Sequence, residues 1–280
     1  MATEKTPGEV QFEEYLRLAG ITEFEFERYL PESSRRPDYS FTHNGNLVLL
    51  DVKDFRGEPQ DFETRGLGWY DPYKAIREKI NDGSRKFKNL KAYPCALVLY
   101  NHDKPLVSLR PMLVYGATLG NLGFQIPVDS ETGIGDDDRA RTVFTSGGKM
   151  VRYGPHKRPM VPQNTTISAV IALGRLLVGQ KLCMAWLKEQ EQKLGREMTF
   201  EESVAATETC RGTDNDISRT ELRVIVYENP YARIAWPTDL FTGAWDQRYG
   251  VVDHYIRRIS AGVALLEWES LTGEVADFSS

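Results

Sequence analysis

A tight turn between two strand-like stretches constrains the fold of this chain more than any other local feature. Asn44-Gly45 is the strongest short signal for a two-residue β-hairpin loop, and the mostly apolar run 46–53 follows it. A two-residue loop fixes the pairing register of the two strands, and in that register Asp38 faces Asp51. Directly opposed β-carbons lie about 5 Å apart on one face of a sheet. The hairpin therefore predicts two carboxylates side by side.

Lys53 is a third charged residue on the same strand face. Because side chains alternate along a strand, Asp51 and Lys53 point to one face and Val52 points to the other. The rest of the strand is apolar, so we expect both of its faces to be buried. The sequence thus predicts three charges at the end of a buried strand.

Two facing carboxylates need a compensating partner. At about 5 Å two like charges repel by about 3 kcal/mol when the effective dielectric constant is near 20. A divalent cation reverses the sign of this interaction, and two carboxylates with a backbone carbonyl are oxygen ligands suited to Mg²⁺ or Mn²⁺. The alternative is an ordinary ion pair at the end of a strand, beside an ordinary turn opened by Pro37-Asp38.

The N-terminal part of the chain alternates between helical and extended patterns. Apolar positions at helical spacing predict a helix over 9–19, and alternation predicts a strand over 22–30. After the hairpin at 38–53, a basic helix is predicted from 71 or 72 to about 91, and the apolar run 93–101 is typical of a buried strand. This order predicts an α/β fold.

The rest of the chain is less regular. Its patterns predict a short helix or strand near 110–117, a strand at 123–127, a poorly ordered surface loop at 129–148, a long helix at 167–194, a helix at 199–209, a strand at 221–230 and a partly extended stretch near 262–268. Asn164 lies in a helix-start sequence and is the predicted N-cap of the long helix. With no internal repeat and no linker, we predict a single domain over 1–280. The alternative is that the chain beyond about residue 105 forms a companion lobe.

Composition and charge narrow the class of protein. Three scattered cysteines without a CxxC spacing indicate neither a disulfide framework nor a structural zinc site, and they favour a reducing cytoplasm. The apolar run 167–186 contains Arg175 and Lys181, so we interpret it as a buried helix and not as a membrane span. The net charge is −5, but residues 74–91 are strongly basic, and such a local patch can attract a polyanion.

The order of these elements resembles the PD-(D/E)XK, or restriction-endonuclease-like, nuclease superfamily. The resemblance covers residues 9–101 and rests on these sequences: Phe12-Glu13-Glu14, Arg36-Pro37-Asp38, Leu49-Leu50-Asp51-Val52-Lys53, the basic helix 74–91 and the strand that begins at Tyr93-Pro94-Cys95. It implies a central mixed β-sheet flanked by helices, with residues 102–280 completing the core and forming a C-terminal extension packed on it.

The resemblance also implies roles for individual residues. Asp38 and Asp51 would bind Mg²⁺ (or Mn²⁺) together with the carbonyl of Val52, and Lys53 would be the catalytic lysine. A glutamate on the first helix would support the metal site. Of the two candidates we choose Glu13 over Glu14, because Glu13 flanks the apolar face of that helix.

Members of the superfamily often have a basic or amide residue on the helix after the motif strand, facing the active site. Lys86 is our choice for that position, with Arg85 and Lys88 as phosphate contacts. Asn164 is a further predicted nucleic-acid contact, because a helix N-terminus can hold a phosphate.

The sequence, read with this resemblance, predicts a cytoplasmic Mg²⁺-dependent nuclease that hydrolyses phosphodiester bonds, in DNA, without membrane association. Cutting both strands would favour a homodimer, and the resemblance suggests a role in bacterial defence against phage. Two alternatives stay open. One is a catalytically silent protein on the same fold that binds nucleic acid or a partner. The other is a structural protein in which the charged residues form an internal ion network.

Overall fold

The computed structural model describes residues 4–57, 71–104, 106–120, 122–125, 141–144, 147–153, 160–252 and 255–259. The chain divides into two compact units, one formed by residues 1–173 and 224–280, the other by residues 174–223. The prediction of one nuclease domain over 1–280 stays a prediction. Among the described residues, no helix has the length and apolar character that crossing a membrane requires.

Five helices and twelve strands make up the described structure. The helices are α1 (Pro7–Leu18), α2 (Lys74–Phe87), α3 (Pro111–Thr118), α4 (Gly179–Leu194) and α5 (Phe200–Thr209). The strands are β1 (Glu25–Phe26), β2 (Tyr39–His43), β3 (Asn46–Phe55), β4 (Cys95–Asn101), β5 (Leu122–Gln125), β6 (Arg141–Phe144), β7 (Val151–Tyr153), β8 (Met160–Pro162), β9 (Ala169–Leu177), β10 (Thr220–Glu228), β11 (Gln247–Val252) and β12 (Tyr255–Arg258).

Eight of the strands form one mixed sheet in the order β1-β2-β3-β4-β9-β10-β11-β12. The pairs β1–β2, β2–β3 and β11–β12 are antiparallel, whereas β3–β4, β4–β9 and β10–β11 are parallel. The predicted α/β class with a large mixed sheet flanked by helices is therefore confirmed.

The hairpin has the predicted register. Tyr39 pairs with Leu50 and His43 pairs with Asn46, so Asn44 and Gly45 form the two-residue loop. Both loop residues have positive φ (48° and 76°), as the hairpin turn whose twist matches the strands requires.

Helices α1 and α2 cover opposite faces of the sheet. Phe12 of α1 packs edge-on against Tyr39, with 5.4 Å between ring centroids, and Tyr39 shares its face with its pairing partner Leu50. On the other face, α2 approaches so closely that a Cβ at Gly83 would lie 2.7 Å from Leu97 Cδ1 and 3.6 Å from Asp51 Oδ2. The hairpin therefore presents Asp51 to α2 and Leu50 to α1.

The long helix predicted over 167–194 is wrong in its first half. Residues 169–177 form β9, which pairs with β4, and only residues 179–194 are helical. Residues 169–173 are buried in the sheet. A short apolar run of this kind is compatible with a buried strand and with a buried helix, and periodicity alone does not distinguish the two.

Asn164 is consequently not a helix N-cap. It has a φ of 49°, and its side-chain Nδ2 donates to the carbonyl of Lys149 at 2.6 Å, so it shapes the turn that precedes β9.

Other predicted elements differ in extent. The strand expected at 22–30 is limited to 25–26, and residues 141–144, inside the expected surface loop, form a strand that pairs with β5. The extended stretch expected near 262–268 lies outside the described residues. The predicted elements at 9–19, 93–101, 199–209 and 221–230 match α1, β4, α5 and β10.

Candidate functional site

The candidate site lies at the part of β3 that extends beyond the end of its neighbour β2. β2 pairs with residues 46–50 of β3, and residues 51–55 continue beside β4 alone in the described structure. Asp38, which immediately precedes β2, bonds to this open edge, because its Oδ2 accepts a hydrogen bond from the Val52 N–H at 2.8 Å. The N–H and C=O of a strand residue point towards the same neighbour, so the carbonyl of Val52 also faces the open edge.

Lys86 links the two predicted carboxylates. Its Nζ donates hydrogen bonds to Oδ1 of Asp38 and to Oδ1 of Asp51. Asp51 is completely buried and Asp38 is 8% exposed. Lys86 reaches them because it lies one helical turn after Gly83, on the face of α2 that packs against Asp51. Asp38 and Asp51 therefore lie side by side, as the hairpin register predicts, and the Lys86 side chain points from α2 towards both.

Lys53 lies between two acidic side chains. Its Nζ is 2.9 Å from Asp51 Oδ2 and 3.3 Å from Asp82 Oδ2. Asp82 was not predicted, although it precedes Lys86 by one helical turn, and that spacing places both on one face of α2. The site is thus a chain of alternating charges from Asp38 through Lys86, Asp51 and Lys53 to Asp82.

The pKa values of the two carboxylates shift in opposite directions. Burial, followed by the charge of Asp38, raises the pKa of Asp51 to about 7. Burial also acts to raise the pKa of Asp38, but hydrogen bonds with Asp51, Lys86 and the Val52 N–H outweigh it and hold that pKa below its usual value. The pKa of Lys86 is raised, because the two carboxylates outweigh the effect of its burial. The two carboxylates therefore favour a positive charge beside them.

The donor set fits a hard divalent cation. Two carboxylates converge on one positive centre, and the Val52 carbonyl faces the same edge, so oxygen is the only ligand atom offered. No group of three or more histidine, cysteine, aspartate or glutamate side chains suited to a metal occurs among the described residues. A cation here would therefore be held by two carboxylates, one carbonyl and water.

Glu13 does not join the two aspartates. Its Oε1 accepts from the Tyr39 hydroxyl at 3.0 Å, its Oε2 accepts from Arg17 at 3.1 Å, and it forms an ion pair with Lys5. Since Tyr39 pairs with Leu50, these contacts lie on the sheet face opposite Asp51. The preference for Glu13 over Glu14 as the more buried residue agrees with the structure, but the expected position beside the metal ligands does not. Helical periodicity indicates burial without saying which face of the sheet the helix covers.

The predicted phosphate contacts other than Lys86 lie outside this cluster. Arg85 and Lys88 are exposed at the end of α2, where a contact with a polyanion stays a prediction. The role given to Asn164 loses its basis, because no helix begins there.

An open cleft of about 600 Å³ lies beside the charged chain. Its lining combines residues of the predicted site with others that the sequence did not reveal: Thr6, Glu9, Asp38, Val52, Lys53, Asp54, Phe55, Arg56, Lys79, Asp82 and Lys104. Four basic side chains (Lys53, Arg56, Lys79 and Lys104) and four acidic ones (Glu9, Asp38, Asp54 and Asp82) line the cleft, so its formal charges balance. The basic members lie within the reach of an anion bound there.

Asp54 is the unusual member of the cleft. Its side chain is 7% exposed, and neither carboxylate oxygen has a hydrogen-bond partner among the described residues. Arg56 forms an ion pair with it at 3.7 Å. Asp54 lies against Gly8 in the first turn of α1, where the partial positive charge of the helix N-terminus favours an anion.

Comparisons of this chain with protein-family models, with curated proteins and with solved structures gave no match.

Proposed function

We propose that this chain is a Mg²⁺-dependent nuclease with a restriction-endonuclease-like core, and that it hydrolyses phosphodiester bonds in DNA. The observation that supports the proposal is the meeting of Asp38, Asp51, Lys53 and Lys86 at the open edge of β3, beside an open cleft of about 600 Å³. In an α/β sheet, ligands bind beyond the carboxyl ends of the parallel strands, and residues 51–55 are that end of β3.

The proposed metal site consists of Asp38, Asp51 and the Val52 carbonyl. When bound there, Mg²⁺ or Mn²⁺ would neutralise charge on the phosphate and lower the pKa of a coordinated water. The hydrogen bond from Val52 N–H holds Asp38 in place, and complete burial holds Asp51. The ligands are thus rigid before a cation arrives, which favours binding.

Lys53 is the proposed catalytic lysine. Its Nζ is held between Asp51 and Asp82 at the cleft, and an ammonium fixed there can orient the attacking water and stabilise negative charge that develops on the phosphate. Lys79, Lys104 and Arg56 would hold the flanking phosphates, while Arg85 and Lys88 would extend this contact along α2.

A second candidate is a catalytically silent protein whose charged chain is purely structural. One observation favours it: Asp38 and Asp51 already have Lys86 and Lys53 as partners, so each of these two carboxylates has a cationic partner without a metal. On this reading, removal of one partner would leave an uncompensated buried charge and would destabilise the protein strongly.

The test is DNA cleavage by the wild type and by Lys53→Ala, with Lys188→Ala as the control. Lys188 is an exposed lysine on α4, outside the basic stretch 74–91 and outside the lining of the cleft. Plasmid and single-stranded DNA are incubated with Mg²⁺ or Mn²⁺, and with EDTA. We expect metal-dependent cleavage that falls about 10²–10⁴-fold in Lys53→Ala, with no change in Lys188→Ala. Cleavage that survives in Lys53→Ala, or intact DNA with a protein that binds no metal, would contradict the proposal.

A further inference from the structure

Lys86 occupies the position between the two carboxylates. Asp38 uses Oδ2 for the Val52 N–H, and Asp51 Oδ2 faces Lys53 at 2.9 Å. The two remaining oxygens, both Oδ1, are turned towards the same ammonium. The oxygens that would bind a metal are therefore already bound to a cation that belongs to the chain.

Only one cation fits between these oxygens. Mg²⁺ binds carboxylate oxygens at about 2.0–2.1 Å, and an ammonium hydrogen-bonded to the same two atoms fills that space. Two positive centres in contact would also repel each other. We infer that Lys86 is a tethered competitor of the divalent cation, and that the metal binds only when the Lys86 ammonium leaves the two aspartates. This inference rests on the proposed metal site.

The exchange changes the charge of the site. Asp38, Asp51 and Asp82 carry three negative charges against the two positive charges of Lys53 and Lys86, so the charged chain has a net charge of −1 when no metal is bound. A divalent cation takes over the place of Lys86, and the released ammonium stays near, because the buried Ile80, Gly83 and Phe87 hold α2 in position. The net charge of the metal-bound site thus becomes positive, which suits a phosphate.

Competition between the Lys86 ammonium and the metal would raise the apparent dissociation constant of the metal. The apparent dissociation constant of a ligand equals its intrinsic value divided by the fraction of molecules that can bind. If the ammonium occupies the carboxylates in about nine molecules of ten, its removal lowers the dissociation constant about tenfold.

Titration calorimetry with Mg²⁺ and with Mn²⁺ tests this on the full chain. Lys86→Met removes the ammonium and keeps an apolar stem, Lys86→Gln keeps a hydrogen-bond donor without the charge, and Lys74→Met is the matched control on the same helix. The titrations are made at about pH 8, where protons compete less for the coupled carboxylates. We expect about tenfold tighter binding in both Lys86 variants and an unchanged affinity in Lys74→Met.

A second measurement needs no variant. The rate at which an amine-reactive reagent labels Lys86, followed by mass spectrometry, should rise several-fold when Mn²⁺ is added, while the rate at Lys74 stays constant. Metal binding that is equal or weaker in the Lys86 variants, or a labelling rate that Mn²⁺ leaves unchanged, overturns the competition and leaves the metal site standing. Absence of metal binding in the wild type and in every variant overturns both.

Discussion

Asp51 has no exposed surface and yet contacts two lysines and one aspartate, which places it at the centre of the charged chain. A buried carboxylate is tolerated when it is paired and hydrogen-bonded. Asp51 meets this condition through Lys86 and Lys53, which come from two different elements. Asp54 meets only the first half of this condition, because it has an ion pair with Arg56 and lies at the N-terminus of α1 but has no hydrogen bond within the described part of the chain.

Gly8 allows this second arrangement. A Cβ at Gly8 would lie 2.0 Å from Asp54 Oδ1 and 3.1 Å from Tyr100 Cβ. Alanine is otherwise favoured over glycine inside a helix by about 1 kcal/mol. We expect Gly8→Ala to destabilise the protein by about 1–3 kcal/mol, as overpacking of a buried contact does, measured by urea denaturation.

Asp54→Ala provides the control for this prediction. It removes the oxygen that the new Cβ would meet, so Gly8→Ala should cost much less free energy of unfolding in the Asp54→Ala background than in the wild type. An equal cost in both backgrounds would show that Asp54 does not cause the strain.

At the level of elements, the site exists because two paired strands differ in length. β3 has ten residues and β2 has five, so the hairpin ends beside residues 51–55 and leaves one edge of β3 open. At this edge the Asp38 side chain accepts the hydrogen bond from the Val52 N–H that a neighbouring strand would otherwise accept. The mismatch places polar backbone, two carboxylates and Lys53 at the border of an otherwise apolar sheet.

Helix α1 is attached to this sheet through Glu13. Burial acts to raise the pKa of Glu13, but hydrogen bonds from Lys5, Tyr39 and Arg17 outweigh it and lower the pKa below 4.5. A lowered pKa stabilises the folded protein above the unfolded-state value, and this contribution disappears as the pH falls through the folded-state value. We expect Glu13→Gln to cost about 1–2 kcal/mol at neutral pH, as loss of hydrogen bonds to a charged group does, and progressively less as the pH falls below the unfolded-state pKa of about 4.3.

Denaturation of both proteins across the acidic range measures this difference. Glu14→Gln, at the neighbouring half-buried position, is measured beside it as the matched substitution on the same helix. A cost of Glu13→Gln that is the same at neutral and at acidic pH would mean that its charge does not contribute to stability.

On the scale of the whole molecule, the first helix depends on residues near the end of the chain. The Tyr15 hydroxyl donates to Asp246 Oδ2 at 2.6 Å, and Asp246 also accepts from the N–H groups of Val224 and Gly243 at 2.9 and 2.8 Å. Asp246 is buried. One side chain therefore joins α1, β10 and the turn before β11.

We expect the loss of Asp246 to be costly. Asp246→Ala leaves three donors without their acceptor and should destabilise the protein by about 3 kcal/mol or more, whereas Tyr15→Phe removes one hydrogen bond and should cost about 1 kcal/mol. Urea denaturation measures both. Because the two residues share one contact, Tyr15→Phe should cost less in the Asp246→Ala background, and strict additivity of the two costs would contradict this account.

Sequence patterns were sufficient to predict the structure where it depends on residues that are close together in the chain. Asn44-Gly45 determined the hairpin register, and the register brought Asp38 to Asp51. Patterns failed where one stretch satisfies two structures. The run 169–177 fits a helix or a buried strand, and its pairing with β4 decides for the strand.

The sequence by itself therefore determined the hairpin, the course of α1 and α2 and the identity of the facing carboxylates with Lys53, because these follow from turn geometry and from periodicity along a few residues. Only the tertiary structure decided that Lys86 bridges the carboxylates, that Asp82 contacts Lys53 and that Glu13 lies on the opposite face. Those contacts join side chains from separate elements. Their distances depend on which face each helix covers, and no local pattern encodes that choice.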